Sequence, residues 1–183
     1  MSRNPPLASA RTVNEANRPR AWIGSLEFAV KELARQRAPT KSSEFRHRAG
    51  VAAEMAVSGY EDEPINREIY ADFEGDDGYD IEVSRMGSSY KVEVKCVTQG
   101  RVELKIEEDS IDTADYFYLC RSPDPTTMVE LLGYIDSNGV REWGETSPND
   151  GLVRVQPKYL FPLEPVRISP EDIRESQVSD LDV

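Results

Sequence analysis

The chain has 183 residues, enough for one domain with a real core and short for two. Hydrophobic residues make up 38% and charged residues 31%, and no apolar run approaches the roughly 20 residues of a bilayer-spanning helix, so no membrane partner is expected. Two cysteines and one histidine argue against both a disulfide framework and a zinc site, and a net charge of −12 disfavours simple charge-driven binding to polyanions.

Residues 1–20 hold adjacent prolines, several asparagines and four arginines against the single acid Glu15, which predicts a flexible basic arm. With no apolar signal core at this end, a cytoplasmic location is expected. From Ala21 to Arg37, Ile23, Leu26, Val30 and Leu33 recur at helical spacing, and the helix should end before Pro39. Ser42 or Ser43 offers an N-cap for a second helix running to about Ser58, with Gly59 as its stop. Its alanines (Ala49, Ala52, Ala53, Ala56) allow close packing on a sheet. Glu54 interrupts this apolar stretch, so the helix either turns it to solvent or aims its carboxylate into a site.

Asn66 to Phe73 reads as a strand, the acidic segment 74–78 as a turn, and a charged hairpin follows. Glu107 to Ala114 suggests a short helix, and Tyr116 to Cys120 a buried strand. Beyond a break at Pro123 and Pro125, Met128 to Ile135 reads as a strand with a hairpin turn at Asp136-Ser137-Asn138-Gly139. Leu152 to Val155 is expected as an edge strand, and the stretch from Ser169 as a mobile acidic tail. Cys96 and Cys120 both fall among apolar strand residues and read as core positions.

The hairpin Asp80-Ile81-Glu82-Val83 … Val92-Glu93-Val94-Lys95-Cys96 is the most informative stretch. Ile81, Val83, Val92 and Val94 point one way, and Asp80, Glu82, Glu93 and Lys95 the other. Any even-numbered loop keeps all four charges on one face; turn residues Gly87-Ser88 would set Glu82 opposite Glu93 and Asp80 opposite Lys95. Three carboxylates beside an ammonium suggest a divalent-metal site with a neighbouring lysine.

The order of helix bearing Glu54, strands bearing Asp80 and then Glu93-Val94-Lys95, helix and strand resembles the PD-(D/E)xK nuclease superfamily. Within it, Gly78-Tyr79-Asp80, Val92-Glu93-Val94-Lys95 and the strand Tyr116 to Leu119 look closest to the C-terminal domain of the plant protein NO VEIN. The resemblance covers about residues 44–121, and Tyr79 stands where the name-giving proline would be. It implies an α/β fold of restriction-endonuclease-like architecture, a central mixed sheet flanked by helices. A single nuclease-like domain would span 21–168, with a β extension over about 126–168 and the acidic tail over 169–183.

The same resemblance implies that Asp80 and Glu93 bind Mg²⁺ or Mn²⁺ with the backbone carbonyl of Val94, and that Glu54 completes the site. Lys95 would position the attacking water or stabilise developing charge on the phosphate. The implied activity is metal-dependent hydrolysis of phosphodiester bonds in DNA, with RNA also open as a substrate. Homodimers are common where both strands are cut. A non-catalytic version of the same fold, acting as a nucleic-acid- or protein-binding module, is the alternative. Glu82 reads as a solvated neighbour and Gln99 as a loop residue near the site. His47, flanked by Arg46 and Arg48, reads as an exposed helix residue or a phosphate contact.

Other chemistries lack their motifs: there is no GxxxxGK[ST] loop, no G-x-S-x-G turn and no zinc-finger pattern. With acids outnumbering bases 34 to 22 and arginine outnumbering lysine 16 to 6, the composition resembles that of haloarchaeal proteins. Molar salt suppresses phosphate-driven affinity, so a nuclease working there would depend on metal and shape contacts.

Overall fold

The computed structural model describes residues 18–41, 44–65, 79–124 and 127–177. The strand expected over 66–73, the acidic turn after it, the cap at Ser42 or Ser43 and most of the basic arm lie outside these residues. In chain order the elements are β1 (Arg20–Trp22), α1 (Glu27–Arg37), α2 (Phe45–Glu61), β2 (Ile81–Arg85), β3 (Ser88–Val97), β4 (Leu104–Glu107), β5 (Tyr116–Asp124), β6 (Met128–Asp136), α3 (Ser137–Trp143), β7 (Glu145–Thr146), β8 (Leu152–Val155), β9 (Arg167–Ile168) and α4 (Pro170–Ser176).

The fold is mixed α/β. Six strands form one sheet in the order β2-β3-β5-β6-β1-β9, and β4-β8-β7 form a second. In the larger sheet β3 runs parallel to β5 and β1 parallel to β9, while β2–β3, β5–β6 and β1–β6 are antiparallel. One face of that sheet, with Ile81, Val83, Val92, Val94, Tyr118 and Leu131, packs against α2, on which α1 and α4 rest in the same core. On the other face, Phe117, Leu119 and Ile135 meet Leu104, Ile106, Val140, Val153 and Val155. This alternation along β3, β5 and β6 produces two cores from one sheet, as period-two patterning requires.

Several expectations change in detail. The first helix is shorter than expected because Arg20–Trp22 pairs as a strand with β6 and β9, which also makes the end of the basic arm part of the sheet. Ile23 and Leu26 are buried nonetheless, in and beside a short 3-10 turn over Gly24–Leu26. In place of a helix over 107–114, β4 leads into a 3-10 turn at Glu108–Asp112. β5 continues through Pro123 to Asp124, with its pairing to β6 shifted after Arg121. Asp136 is a helix cap instead of a hairpin residue: its carboxylate accepts the Gly139 N–H at 2.6 Å and starts α3. β8, expected at an edge, lies in the middle of the second sheet.

The tail differs most. Ser169 and Asp172 close a capping box, each side chain bonded to the other's backbone, and Pro170 occupies the first turn. The resulting helix α4 is docked, with Ile173 1% exposed, and the buried Ser176 hydroxyl lies 2.8 Å from that of Ser58 on α2. Gly59 does not stop α2. It lies inside the helix, where a Cβ would stand 2.7 Å from Ile173 Cγ1 and 2.9 Å from Ile168 Cγ2. α2 ends instead at Asp62, whose φ of 58° supplies the left-handed cap. Cys96 and Cys120 are register neighbours on β3 and β5 and both are free. Burial pushes the Cys96 thiol up to about 12 and raises Cys120 as well, so both stay protonated and act as small core groups.

Gly59→Leu tests the docking of α4. Leucine has the better helix propensity, so a free helix would gain stability. Against Ile168 and Ile173 the substitution is expected to cost about 1–3 kcal/mol in urea unfolding through overpacking. A stabilised variant would show that α4 does not rest on α2.

Candidate metal centre

The turn residues of the charged hairpin are Met86 and Gly87, with φ of 51° and 78°. Positive φ at both positions is the signature of the two-residue turn whose twist matches antiparallel strands. The register therefore pairs Arg85 with Ser88, Ile81 with Val92, and Glu82 with Lys91. The turn is one residue earlier than Gly87-Ser88, so Glu82 does not face Glu93, nor Asp80 Lys95. Loop parity is preserved, and the apolar residues of both strands share the α2 face.

Asp80 lies in a bend just before β2. Its backbone N–H donates to the Val92 carbonyl at 2.8 Å, and its carboxylate accepts the Val94 N–H at 2.6 Å. These two bonds bracket Glu93 and hold Asp80 level with it across the hairpin. The residue as a whole is half-buried, but its carboxylate is enclosed by protein. Burial pushes the Asp80 carboxyl well above the ordinary aspartate range, and the neighbouring charges of Glu54 and Glu93 push it further. The Val94 N–H and the Arg37 guanidinium act in the opposite direction.

Glu54 answers its either-or plainly: the residue is 9% exposed, and its carboxylate turns inward. Arg37, the last residue of α1, forms an ion pair with it. Glu93 Oε1 pairs with Lys95 Nζ, two residues along the same strand face, and the Lys95 side chain is 37% exposed. Val94 points its side chain into the core, and its N–H serves Asp80. The structure thus brings Glu54 and Glu93 each within electrostatic reach of Asp80 and sets Lys95 beside Glu93. Among the described residues, no three or more His, Cys, Asp or Glu side chains stand in a ready-made metal-holding group.

The remaining candidates fall outside this centre. Glu82 is exposed, accepts a hydrogen bond from the Ser89 hydroxyl and lies level with Lys91, as a solvated neighbour would. Gln99 is exposed in the turn after β3. A ring nitrogen of His47 lies 3.3 Å from the Ala34 carbonyl of α1, so this histidine ties the two helices together. Arg46 beside it is exposed, and the Nε of the half-buried Arg48 is enclosed. Sequence reasoning missed Arg37. Nothing in the helix pattern distinguishes it, and only the packing of α1 on α2 brings it to Glu54.

The donor set suits a hard divalent cation. Carboxylate oxygens are the preferred ligands of Mg²⁺ and Mn²⁺, and the charges of Glu54 and Glu93 both act on the enclosed Asp80 carboxylate. Arg37 offsets part of the charge on Glu54. Comparison with family models, with curated proteins and with solved structures returns no match.

Two outcomes follow from the electrostatics. Below the ordinary aspartate range, Asp80 is protonated in both folded and unfolded chains and costs nothing. As pH rises past that range the unfolded chain ionises first, and the folded state loses stability until Asp80 itself ionises. In EDTA, Asp80→Asn should therefore melt higher than wild type at pH 8, with the gap closing towards pH 4. A variant that melts lower at pH 8 would show that Asp80 is ionised and stabilised in the fold. Arg37→Gln leaves Glu54 buried without its guanidinium and should cost about 3 kcal/mol in urea unfolding.

Proposed function

We propose that the protein is a Mg²⁺- or Mn²⁺-dependent nuclease that hydrolyses phosphodiester bonds in DNA, with the restriction-endonuclease-like architecture that its sequence resembles. The observation that carries this reading is the convergence of Asp80, Glu93 and Glu54 at one electrostatic centre with Lys95 at its rim. Asp80, Glu93 and Glu54 would hold the metal by their carboxylates, joined by the Val94 carbonyl. When bound, the ion supplies an acidified water and neutralises charge on the scissile phosphate.

The chain's own residues do the positioning. The Val94 N–H fixes the direction of the Asp80 carboxylate, and the β3 backbone fixes Glu93 and Lys95 two residues apart on one face. Lys95 is paired with Glu93 yet more than a third of its side chain remains exposed, so it can turn towards a phosphate or an incoming water. Arg37 holds Glu54 inward across the α1–α2 contact.

One observation favours the second reading, a non-catalytic binding module on the same fold. Glu54 is engaged by Arg37 and Glu93 by Lys95, an arrangement in which cationic side chains already offset the acids. The decisive experiment is cleavage of plasmid and single-stranded DNA with Mg²⁺ or Mn²⁺ from low to molar KCl. Metal-dependent cutting that falls by about 100-fold or more in Lys95→Ala is the expected result, the scale for loss of one electrostatic contributor. An absence of cutting by wild type in every metal and salt would transfer the assignment to the binding module.

A further inference from the structure

A concavity whose lining includes none of Asp80, Glu54, Glu93 or Lys95 lies where the C-terminal end of α2 meets the start of β3 and β5. It encloses about 230 Å³ and is lined by Tyr90, Tyr116, Tyr118, Glu61 and Arg85, with Tyr134 from β6. A neighbouring hollow that shares Glu61, Arg85, Tyr118 and Tyr134 extends it towards Leu163 and Val166. The four rings form a continuous row: Tyr90 meets Tyr116 edge-on at 5.6 Å, Tyr116 meets Tyr134 at 6.0 Å, and Tyr134 stacks on Tyr118 at 5.5 Å.

The polar groups here are built in. The Glu61 side chain is 2% exposed, and one of its oxygens accepts the Tyr118 hydroxyl while the other pairs with Arg85 Nη2. The Arg85 side chain is 60% exposed, so its remaining N–H groups are open to a ligand. Burying the Glu61 carboxylate costs desolvation. That cost is offset here by two specific donors, and each carboxylate oxygen keeps a further acceptor position.

From this combination we infer that the tyrosine-walled pocket binds a nucleobase, with guanine as the best-matched base. Aromatic walls hold a flat ring by stacking, and this suits every base. The floor sets an acceptor, Glu61, beside a donor, Arg85. Guanine carries two adjacent N–H donors and a carbonyl acceptor along one edge, the complement of a carboxylate with a guanidinium at its side. Arg85 also decides against the other ligand of aromatic cages: a quaternary ammonium would have to compete with a guanidinium already neutralising Glu61. The volume suits a single ring system, being smaller than the roughly 300–1,000 Å³ of drug-sized sites. The inference rests on this pocket alone and does not depend on the nuclease reading.

The test is titration of the full chain, in EDTA, with guanosine 5′-monophosphate, ribose 5-phosphate and tetramethylammonium, followed by amide resonances in NMR. Guanosine monophosphate is expected to shift Tyr90 and Tyr116 saturably, with at least fivefold weaker binding in Arg85→Gln and in Tyr90→Ala, both folded by the same spectra. A short single strand containing one guanine then identifies the source. Binding tighter than the mononucleotide, and lost when that guanine is made abasic, supports a base in a nucleic-acid strand; equal affinity supports a free nucleotide. Equal shifts from ribose 5-phosphate, shifts from tetramethylammonium in place of the nucleotide, or no saturable binding would each overturn the inference. Because no metal is present, its failure is separate from failure of the cleavage assay.

Discussion

The parallel pairing of β3 with β5 is the constraint on which the molecule depends. Val92 lies level with Tyr116, Glu93 with Phe117, Val94 with Tyr118 and Lys95 with Leu119. A parallel pair cannot be closed by a tight turn, so the chain must leave the sheet and return. That crossover carries β4 and the 3-10 turn, which supply Leu104, Ile106 and Ile111 to the second core. The same register assigns the two faces. Apolar β3 residues go to the helices, while Glu93 and Lys95 share the opposite side with Phe117 and Leu119. A one-residue slip would turn Glu93 and Lys95 towards α2 and Val92 and Val94 to the opposite face.

Charge burial is the second theme. Glu54, Glu103 and Glu130 are all buried, and Asp80 has an enclosed carboxylate. Glu130 sits between Arg20 and Arg121, and Glu103 bonds to Arg154 with Arg101 and Lys105 close by. These pairs use arginine almost throughout, and its planar fork keeps charge while satisfying several acceptors. The candidate centre is different in kind. Asp80 has a backbone amide as its hydrogen-bond donor, and burial, followed by the charges of Glu54 and Glu93, pushes its carboxyl upward. Burying an acid beside like charges costs stability, and packing alone does not favour it.

The helical layer lets these charges approach the sheet. Small side chains along α2 allow the helix to sit low, with Ala49, Ala52, Ala53 and Ala56 fully buried. Gly59 leaves room for Ile168 and Ile173, so α4 closes over the same helix from the other end of the chain. α2 therefore touches both proposed sites: Glu54 serves the carboxylate centre, and Glu61, about 10 Å further along at 1.5 Å per residue, serves the tyrosine pocket.

Much of the centre was legible in the sequence because it rests on local rules. Period-two alternation placed Asp80, Glu82, Glu93 and Lys95 apart from the core residues, and helical spacing marked Glu54 as out of place among alanines and valines. The α/β class follows from the same patterns. What failed had a tertiary cause. Met86 adopts a positive φ that its type does not advertise, which moved the turn by one residue. Asp136 caps a helix because the chain turns there beneath the second sheet, although its four-residue sequence suits a hairpin equally well. The capping box at Ser169 was readable, but the acidic surroundings suggested a tail, and packing of Ile173 beside Gly59 with the Ser176–Ser58 contact docks the helix on α2. Local patterning determined which residues have a charged or apolar face, since that depends on one period along one strand or helix. Which charges meet was decided by packing between elements distant in sequence: Arg37 with Glu54, and Glu61 with Arg85 and Tyr118.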